Sequence, residues 1–389
     1  MRGYSEKGHS QSMKRSQSEL HNTEVVDIGK GEPSFHTPDH IKQAAYRAIE
    51  ENFTKYTPQP GIPELREAIA DKFRKENGIP VSPEEVVVSC GGKHSVDNAI
   101  RAIVEPGDEV ILLTPHWFPN PEQVRLCGGR SVFVETRQED GYLPDLDLIR
   151  SAVSPRTRLL IVNSPNNPTG TVYPRETIEA IGRLAAAHDF LILSDEVYEA
   201  IVFEGHFHVS IASLGEEIAQ RTLTVNSVSK THAMTGWRIG YAALPGNLSR
   251  RVVEIQQVST SAPSAISQRA ALAALTQDQS HVAAWREAYA ERRAYVLGRI
   301  GETKPLSAFP PQGTFYCFVS IADLIGESIL GRKIENGTDF ANLLLEKVRV
   351  RLLSGEPFGS KDHVRVSFAV EMEALREGFD RIAELLDGS

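Results

Sequence analysis

The 389-residue chain has few cysteines, and the three it has, Cys90, Cys127 and Cys317, show no C-x-x-C spacing. An odd, unspaced set argues against a disulfide framework or a thiolate zinc site and suits a reducing compartment. Long apolar runs are missing as well: none approaches the roughly 18 residues that a membrane span requires. The opening "MRGYSEKGHSQSMKRSQSELHNTE" lacks the apolar segment of a signal peptide, and Glu6, Glu19 and Glu24 interrupt the basic pattern of a transit peptide. We read it as a mobile polar arm on a cytoplasmic protein. Excess positive charge is absent too, since the formal net charge is −9. That argues against nucleic acid or an anionic membrane as the main partner and leaves a small-molecule ligand, with room for a local basic pocket around a small anion. Internal repeats and low-complexity linkers are not found either, so the chain is long enough to bury a large core in two lobes.

What is present is an alternation. From about Pro83, short β-branched runs ("EVVVSC", "DEVILL", "TRLLIVN", "FLILSDE", "RTLTVNSVSK", "IGYAALP") are separated by longer helical stretches such as "PRETIEAIGRLAAAHD". This is the rhythm of an α/β fold with a mainly parallel sheet of about seven strands flanked by helices. After roughly residue 280 long charged helices with scattered strands ("GTFYCFVSI", "HVRVSFAV") suggest a smaller α+β domain. Open α/β sheets bind ligands beyond the carboxyl ends of their strands, so the residues following each run are the ones to inspect.

Four such places stand out. After "EVVVSC" comes Gly91-Gly92-Lys93-His94, a glycine turn into a helix whose N–H groups would suit a phosphate; an ordinary tight turn explains it equally well. "SPNNPTG" presents Asn166 and Asn167 on a stiff loop, or is simply a polar turn. "SDEVY" puts Asp195 at the end of a strand expected to be buried on both faces, where a carboxylate needs a partner unless it is only a helix cap. Lys230 follows "TVNSVS" among small hydroxyl residues, with Arg238 close by in "TGWRIGY"; the plain alternative is a surface amine at a strand end.

Pyridoxal phosphate uses all four places at once: a lysine for its Schiff base, an anion opposite its ring nitrogen, donors for its phenolic oxygen and a phosphate cradle. The series "GEPSFHTP", "KYTPQPGIPELREAI", "GGK", "PHW", "NSPNNPTG", "SDEVYE", "SVSK", "TGWRIGY", "QGTFY" and "VRVSFA" resembles, in order and over nearly the whole chain, the fold-type I pyridoxal-phosphate aminotransferases, most closely the bacterial aspartate aminotransferase branch. The resemblance implies that Lys230 is the Schiff-base lysine, Asp195 the partner of the ring nitrogen, and Asn167 and Tyr198 the partners of the phenolic oxygen. It implies that Trp117 stacks on the ring, that Gly92, Lys93, Ser227 and Arg238 hold the phosphate, and that Tyr56 reaches the phosphate from the other subunit of a homodimer. Arg365 would grip the substrate α-carboxylate as a bidentate fork, with Gly31 offering backbone to the same group. Trp117, Asn167 and Lys93 would also touch substrate, Lys93 at the distal carboxylate of an acidic one. The implied division is 1–37 for the arm and part of the small domain, 38–280 for the large cofactor domain, and 281–389 for the small domain.

The implied reaction moves an amino group from an L-amino acid to a 2-oxo acid, with no metal. Three other readings stay open on the residues alone. A lyase or decarboxylase could use the same lysine, aspartate and arginine. Ser227-Val228-Ser229-Lys230 fits the S-x-x-K pattern of serine acyl-transfer enzymes, although the companion S-D-N and K-T-G elements are missing. The fold could also serve a non-catalytic ligand sensor. His116 and Asn120 flank Trp117 where the family commonly has aromatics, and Ser354 stands where it has a proline. These departures bear on the substrate pocket and leave a specialised biosynthetic role open.

Overall fold

The computed structural model describes residues 24–388, so the expected polar arm lies, up to residue 23, outside the described residues. The β-branched runs form a seven-stranded sheet with the order β1-β7-β6-β5-β4-β2-β3. In chain order its strands are β1 (Val86–Ser89), β2 (Glu109–Thr114), β3 (Arg130–Glu135), β4 (Thr157–Asn163), β5 (Leu191–Asp195), β6 (Thr222–Ser227) and β7 (Gly240–Ala243). Strands β2 to β6 pair in parallel, whereas β7 runs antiparallel to both β1 and β6.

Side chains alternate across this sheet, and both faces are covered. Val86 and Val88 join one core with Tyr241 and Ala243, while Val87 joins another with Val110 and Leu112. Each strand therefore needs apolar residues at successive positions, which is why the runs stand out in the sequence. Only β3, at the edge, is largely exposed or half-buried.

The direction of the strands gathers the candidate residues. The carboxyl ends of β1, β2, β4, β5 and β6 share one edge of the sheet. Because β7 runs the other way, its start brings Arg238 to that same edge. Helix α1 (Gly92–Ile103) begins there, directly after β1.

The later part of the chain builds a second, antiparallel sheet from β8 (Ser307–Ala308), β9 (Tyr316–Ser320), β10 (Leu353–Ser354) and β11 (His363–Ser367), in the order β10-β11-β9-β8. Helices α2 (Ser280–Glu302) and α3 (Met372–Asp387) contribute Tyr289, Val296, Leu375 and Phe379 to its core. The short strand Val26–Asp27 pairs with Val350–Arg351, so the segment leading to Gly31 belongs to this second unit. Its core also takes in Tyr198, Ile201 and Phe203 from the segment after β5. The two sheets thus meet at the strand-end edge of the first.

Candidate active site

A cavity of about 460 Å³ opens at that meeting, and every residue expected at the site except Tyr56 lines it. At one end lies an anion cradle. Gly91 has φ +93°, and a Cβ there would sit 2.3 Å from Arg238 Nη2, so only glycine lets the guanidinium lie over the turn. Arg238 itself has φ +55°, an uncommon conformation for a long side chain and one that aims it back at the turn. Its Nη1 donates to Thr235 O at 2.6 Å, which fixes the guanidinium. Gly92 opens α1 with its free N–H groups, and Ser227 caps the short helical turn Val228–Thr231 by accepting from Ser229 N at 3.3 Å. Two helical starts and one arginine thus converge on one spot, a setting for a phosphate.

At the centre Asp195 ends β5, 7% exposed, and accepts one hydrogen bond from Val197 N at 3.4 Å. Burial pushes its pKa up to about 7 against that bond. A carboxyl held there recovers its charge when a cation is placed opposite, as a protonated ring nitrogen would be. Lys230 Nζ donates to Gly31 O at 2.6 Å, and burial pushes its pKa down, the condition a nucleophilic amine requires. Asn167 is held by its own backbone N–H, which donates to Asn163 Oδ1 at 2.8 Å, while Asn163 Nδ2 donates to Asp195 O at 2.9 Å. The loop after β4 and the end of β5 are thereby tied together.

At the other end Arg365, on β11, is 3% exposed. Its Nη1 donates to Asn167 Oδ1 at 2.9 Å and its Nη2 to Gly29 O at 3.1 Å, while its Nε is buried with no partner among the described residues. The guanidinium lies 4.0 Å from the Tyr316 ring centroid and 5.1 Å from that of Phe358. A buried fork with an idle donor suits a carboxylate. Lys93, in the first turn of α1, is a further cation on this cavity, with Nζ 5.5 Å from the Trp117 ring centroid and 5.8 Å from that of Phe118.

Tyr56 is the exception. It is 98% exposed and lines a different hollow, with Lys55, Thr57 and Pro263. His116 and Asn120 do not line the cavity; both are buried behind Trp117. The nearest approach to a metal cluster among the described residues, Glu196, Glu199 and His208, already has a cation, because Lys72 pairs with Glu199.

Residues 23–382 match the family described as aminotransferase class I and II. Over 367 residues the chain is 44% identical to an aspartate/prephenate aminotransferase of Thermus thermophilus, covering 93% of this chain and 91% of that protein. It is 37% identical to an aspartate aminotransferase of Bacillus subtilis, covering 94% and 92%. The solved aspartate aminotransferase of Rhizobium meliloti superposes with a TM-score of 0.91 at 36% identity, covering 99% of each chain. The chain belongs to the class I and II aminotransferases. It is an enzyme of the aspartate aminotransferase branch and uses pyridoxal phosphate.

The site of this aminotransferase fits that cofactor on its own evidence: an anion cradle that a Cβ at Gly91 would fill, a buried carboxyl with one backbone hydrogen bond, and the Lys230 amine on the same cavity. The sequence reading missed some of its walls. Tyr316, Phe118, Glu32 and Thr235 also line the cavity, and Thr235 Oγ1 donates to Glu32 Oε2 at 3.1 Å. Tyr316 lay within the quoted motif "QGTFY" but was given no role. Phe118 follows Trp117 directly and carries no signal of its own.

Proposed function

We propose that this aminotransferase takes its amino group from aspartate or a similar acidic L-amino acid, and accepts neutral ones as well. The observation that carries this reading is a second substrate-facing cation, Lys93, in a cavity that already offers Arg365 for an α-carboxylate. A lysine on a flexible stem releases a distal carboxylate at modest cost, where a buried arginine fork would be left unpaired. The half-exposed Phe118 ring beside it gives an apolar side chain a surface. The names of the relatives, aspartate and aspartate/prephenate aminotransferase, point the same way.

Each side chain then has one task. Arg365 fixes the α-carboxylate, and Gly31 supplies backbone beside it. Pyridoxal phosphate, when bound, supplies the aldehyde that takes the amino group and the ring that draws off the electrons released at Cα. The Lys230 amine moves a proton between Cα and the cofactor carbon, as base and then as acid. With the cofactor bound, Asp195 would keep the ring nitrogen protonated, Asn167 and Tyr198 would hold the phenolic oxygen, and Trp117 would cover the ring. Gly92, Ser227 and Arg238 hold the phosphate, and Lys93 stands close enough to serve both phosphate and substrate. A lyase could use the same lysine, aspartate and arginine, and a requirement for the oxo acid as amino acceptor separates the two.

We also infer that the active unit is a homodimer in which Tyr56 completes the partner's phosphate site. Its support is a tyrosine 98% exposed, together with a second large apolar side chain, Val258, 87% exposed on the helix Leu248–Ser259. The division into 1–37, 38–280 and 281–389 is supported by α2 starting at Ser280 and feeding the second core. Unpaired cysteines support a cytoplasmic setting.

The test is a coupled assay with aspartate and with a neutral donor, each run with and without a 2-oxo acid. Turnover should require the oxo acid, and Lys93→Gln should lower kcat/KM for aspartate by about tenfold or more while the neutral donor changes less. Equal losses would leave Lys93 to the phosphate alone, and the case for an acidic substrate would then rest on family resemblance alone. Sedimentation of the same preparation should show a dimer, and a fully active monomer would remove the shared site.

A further inference from the structure

Tyr316 lines this site and has no task in the reading above. It starts β9, in the second sheet, and is 1% exposed. Its hydroxyl lies 3.0 Å from that of Tyr198, which belongs to the segment after β5 in the first sheet. That is the hydroxyl's one hydrogen-bond partner among the described residues. The guanidinium carbon of Arg365 lies 4.0 Å from the ring centroid. A Cβ at Gly31 would stand 3.0 Å from the Tyr316 hydroxyl, so the residue next to Lys230 Nζ is kept small on its account. One side chain therefore touches the carboxylate site, the phenolic-oxygen site and the backbone that the lysine amine contacts.

The direction of the phenol pair follows from proton counting. A tyrosine hydroxyl has one proton to donate and two lone pairs to accept with. If Tyr198 donates to the phenolic oxygen of the cofactor, as proposed above, it has no proton left for Tyr316. Tyr316 must then be the donor between the two.

We propose that Tyr316 is a positioning residue which couples the two halves of the site: its ring supports the Arg365 guanidinium, and its hydroxyl donates to Tyr198 so that the Tyr198 proton is directed at the cofactor. Accepting a hydrogen bond makes the Tyr198 O–H a stronger donor. A stronger donor stabilises the negative phenolic oxygen, and so lowers the pH at which the visible band of the bound cofactor changes form. The ring works separately, as a cation–π support that keeps the fork in place for the α-carboxylate.

The experiment is a spectroscopic pH titration of the loaded enzyme, with steady-state kinetics, on Tyr316→Phe, Tyr198→Phe and the double variant. Tyr198→Phe should move the spectral transition up. Tyr316→Phe should move it in the same direction by roughly half a pH unit, less than Tyr198→Phe does. It should lower kcat while shifting KM for the amino acid less than twofold, because the ring remains. The double variant should titrate like Tyr198→Phe, since the hydroxyl acts through that residue. Tyr316→Leu, which removes the ring too, should raise KM for the amino acid by about tenfold. A Tyr316→Phe titration at the wild-type pH, or a shift that simply adds to that of Tyr198→Phe, would overturn the inference and leave the role of Tyr198 standing. If Tyr198→Phe itself leaves the titration in place, the Tyr198 assignment fails and the inference falls with it. The phenylalanine variants decide the hydroxyl's part without Tyr316→Leu, so the test survives if that variant does not fold.

Discussion

At the scale of single residues, the site rests on side chains placed where their solitary energetics are poor. Asp195 is buried enough for its pKa to be pushed up to about 7, so its carboxylate is comfortable only with a cation facing it. A protonated ring nitrogen would be such a cation, and each group would then hold the other in its charged form. Asp195→Asn should still bind the cofactor but lose roughly a hundredfold or more in kcat, because a neutral amide no longer favours the protonated ring. Near-normal turnover in a single-turnover assay would remove Asp195 from the mechanism. Lys230, Asp195, Asn167 and Arg238 were legible in the sequence because each sits just beyond, or just before, a recognisable strand. Tyr316 and Phe118 were not, since an aromatic on or beside a buried strand looks the same whether it packs against the core or against a ligand.

At the scale of elements, the strands were legible in proportion to their burial. Six of the seven main-sheet strands stand out as apolar runs because helices cover both faces. The edge strand β3, "RSVFVE", is half-exposed and lacks that signature. Beyond its ladder to β2 and the packing of Val134, β3 is tied at its start by ion pairs. Glu109, 1% exposed at the start of β2, accepts from Arg130 Nη2 at 2.6 Å at the start of β3 and from Arg156 Nε at 2.7 Å next to β4. Ser154 Oγ donates to its other oxygen at 2.8 Å. Arg130 first, with Ser154 and Arg156 added, lowers its pKa to about 2 against the opposing effect of burial. A depressed carboxyl pKa gives stability that is whole above the unfolded value of 4.5 and is lost as pH falls through about 2. Glu109→Gln should therefore lower Tm at pH 6, and the gap to wild type should narrow as pH falls below about 4.5. A Tm difference independent of pH would mean that the pairs contribute packing and no charge.

At the scale of the whole molecule, the cavity belongs to neither sheet alone. The first supplies the anion cradle, Asp195 and Lys230; the second supplies Arg365 and Tyr316, and the segment before Gly31 is carried by a short strand that pairs separately with Val350–Arg351. The sequence disclosed the two units through the change from alternating strands and helices to long charged helices. It did not disclose which faces meet, because the contact is made by Tyr198, Ile201 and Phe203 entering the second core; Tyr198 lies in the motif "SDEVYE", but nothing in the local pattern marks the three as a contact between units. One amine, Lys230, lines the same cavity as the Arg365 fork and the buried acid Asp195. The decisive measurement is the absorbance spectrum of purified Lys230→Ala mixed with pyridoxal phosphate, taken beside a transamination assay. The account predicts a folded protein without the visible band of a lysine-bound cofactor and without turnover; a wild-type band with wild-type turnover would contradict it.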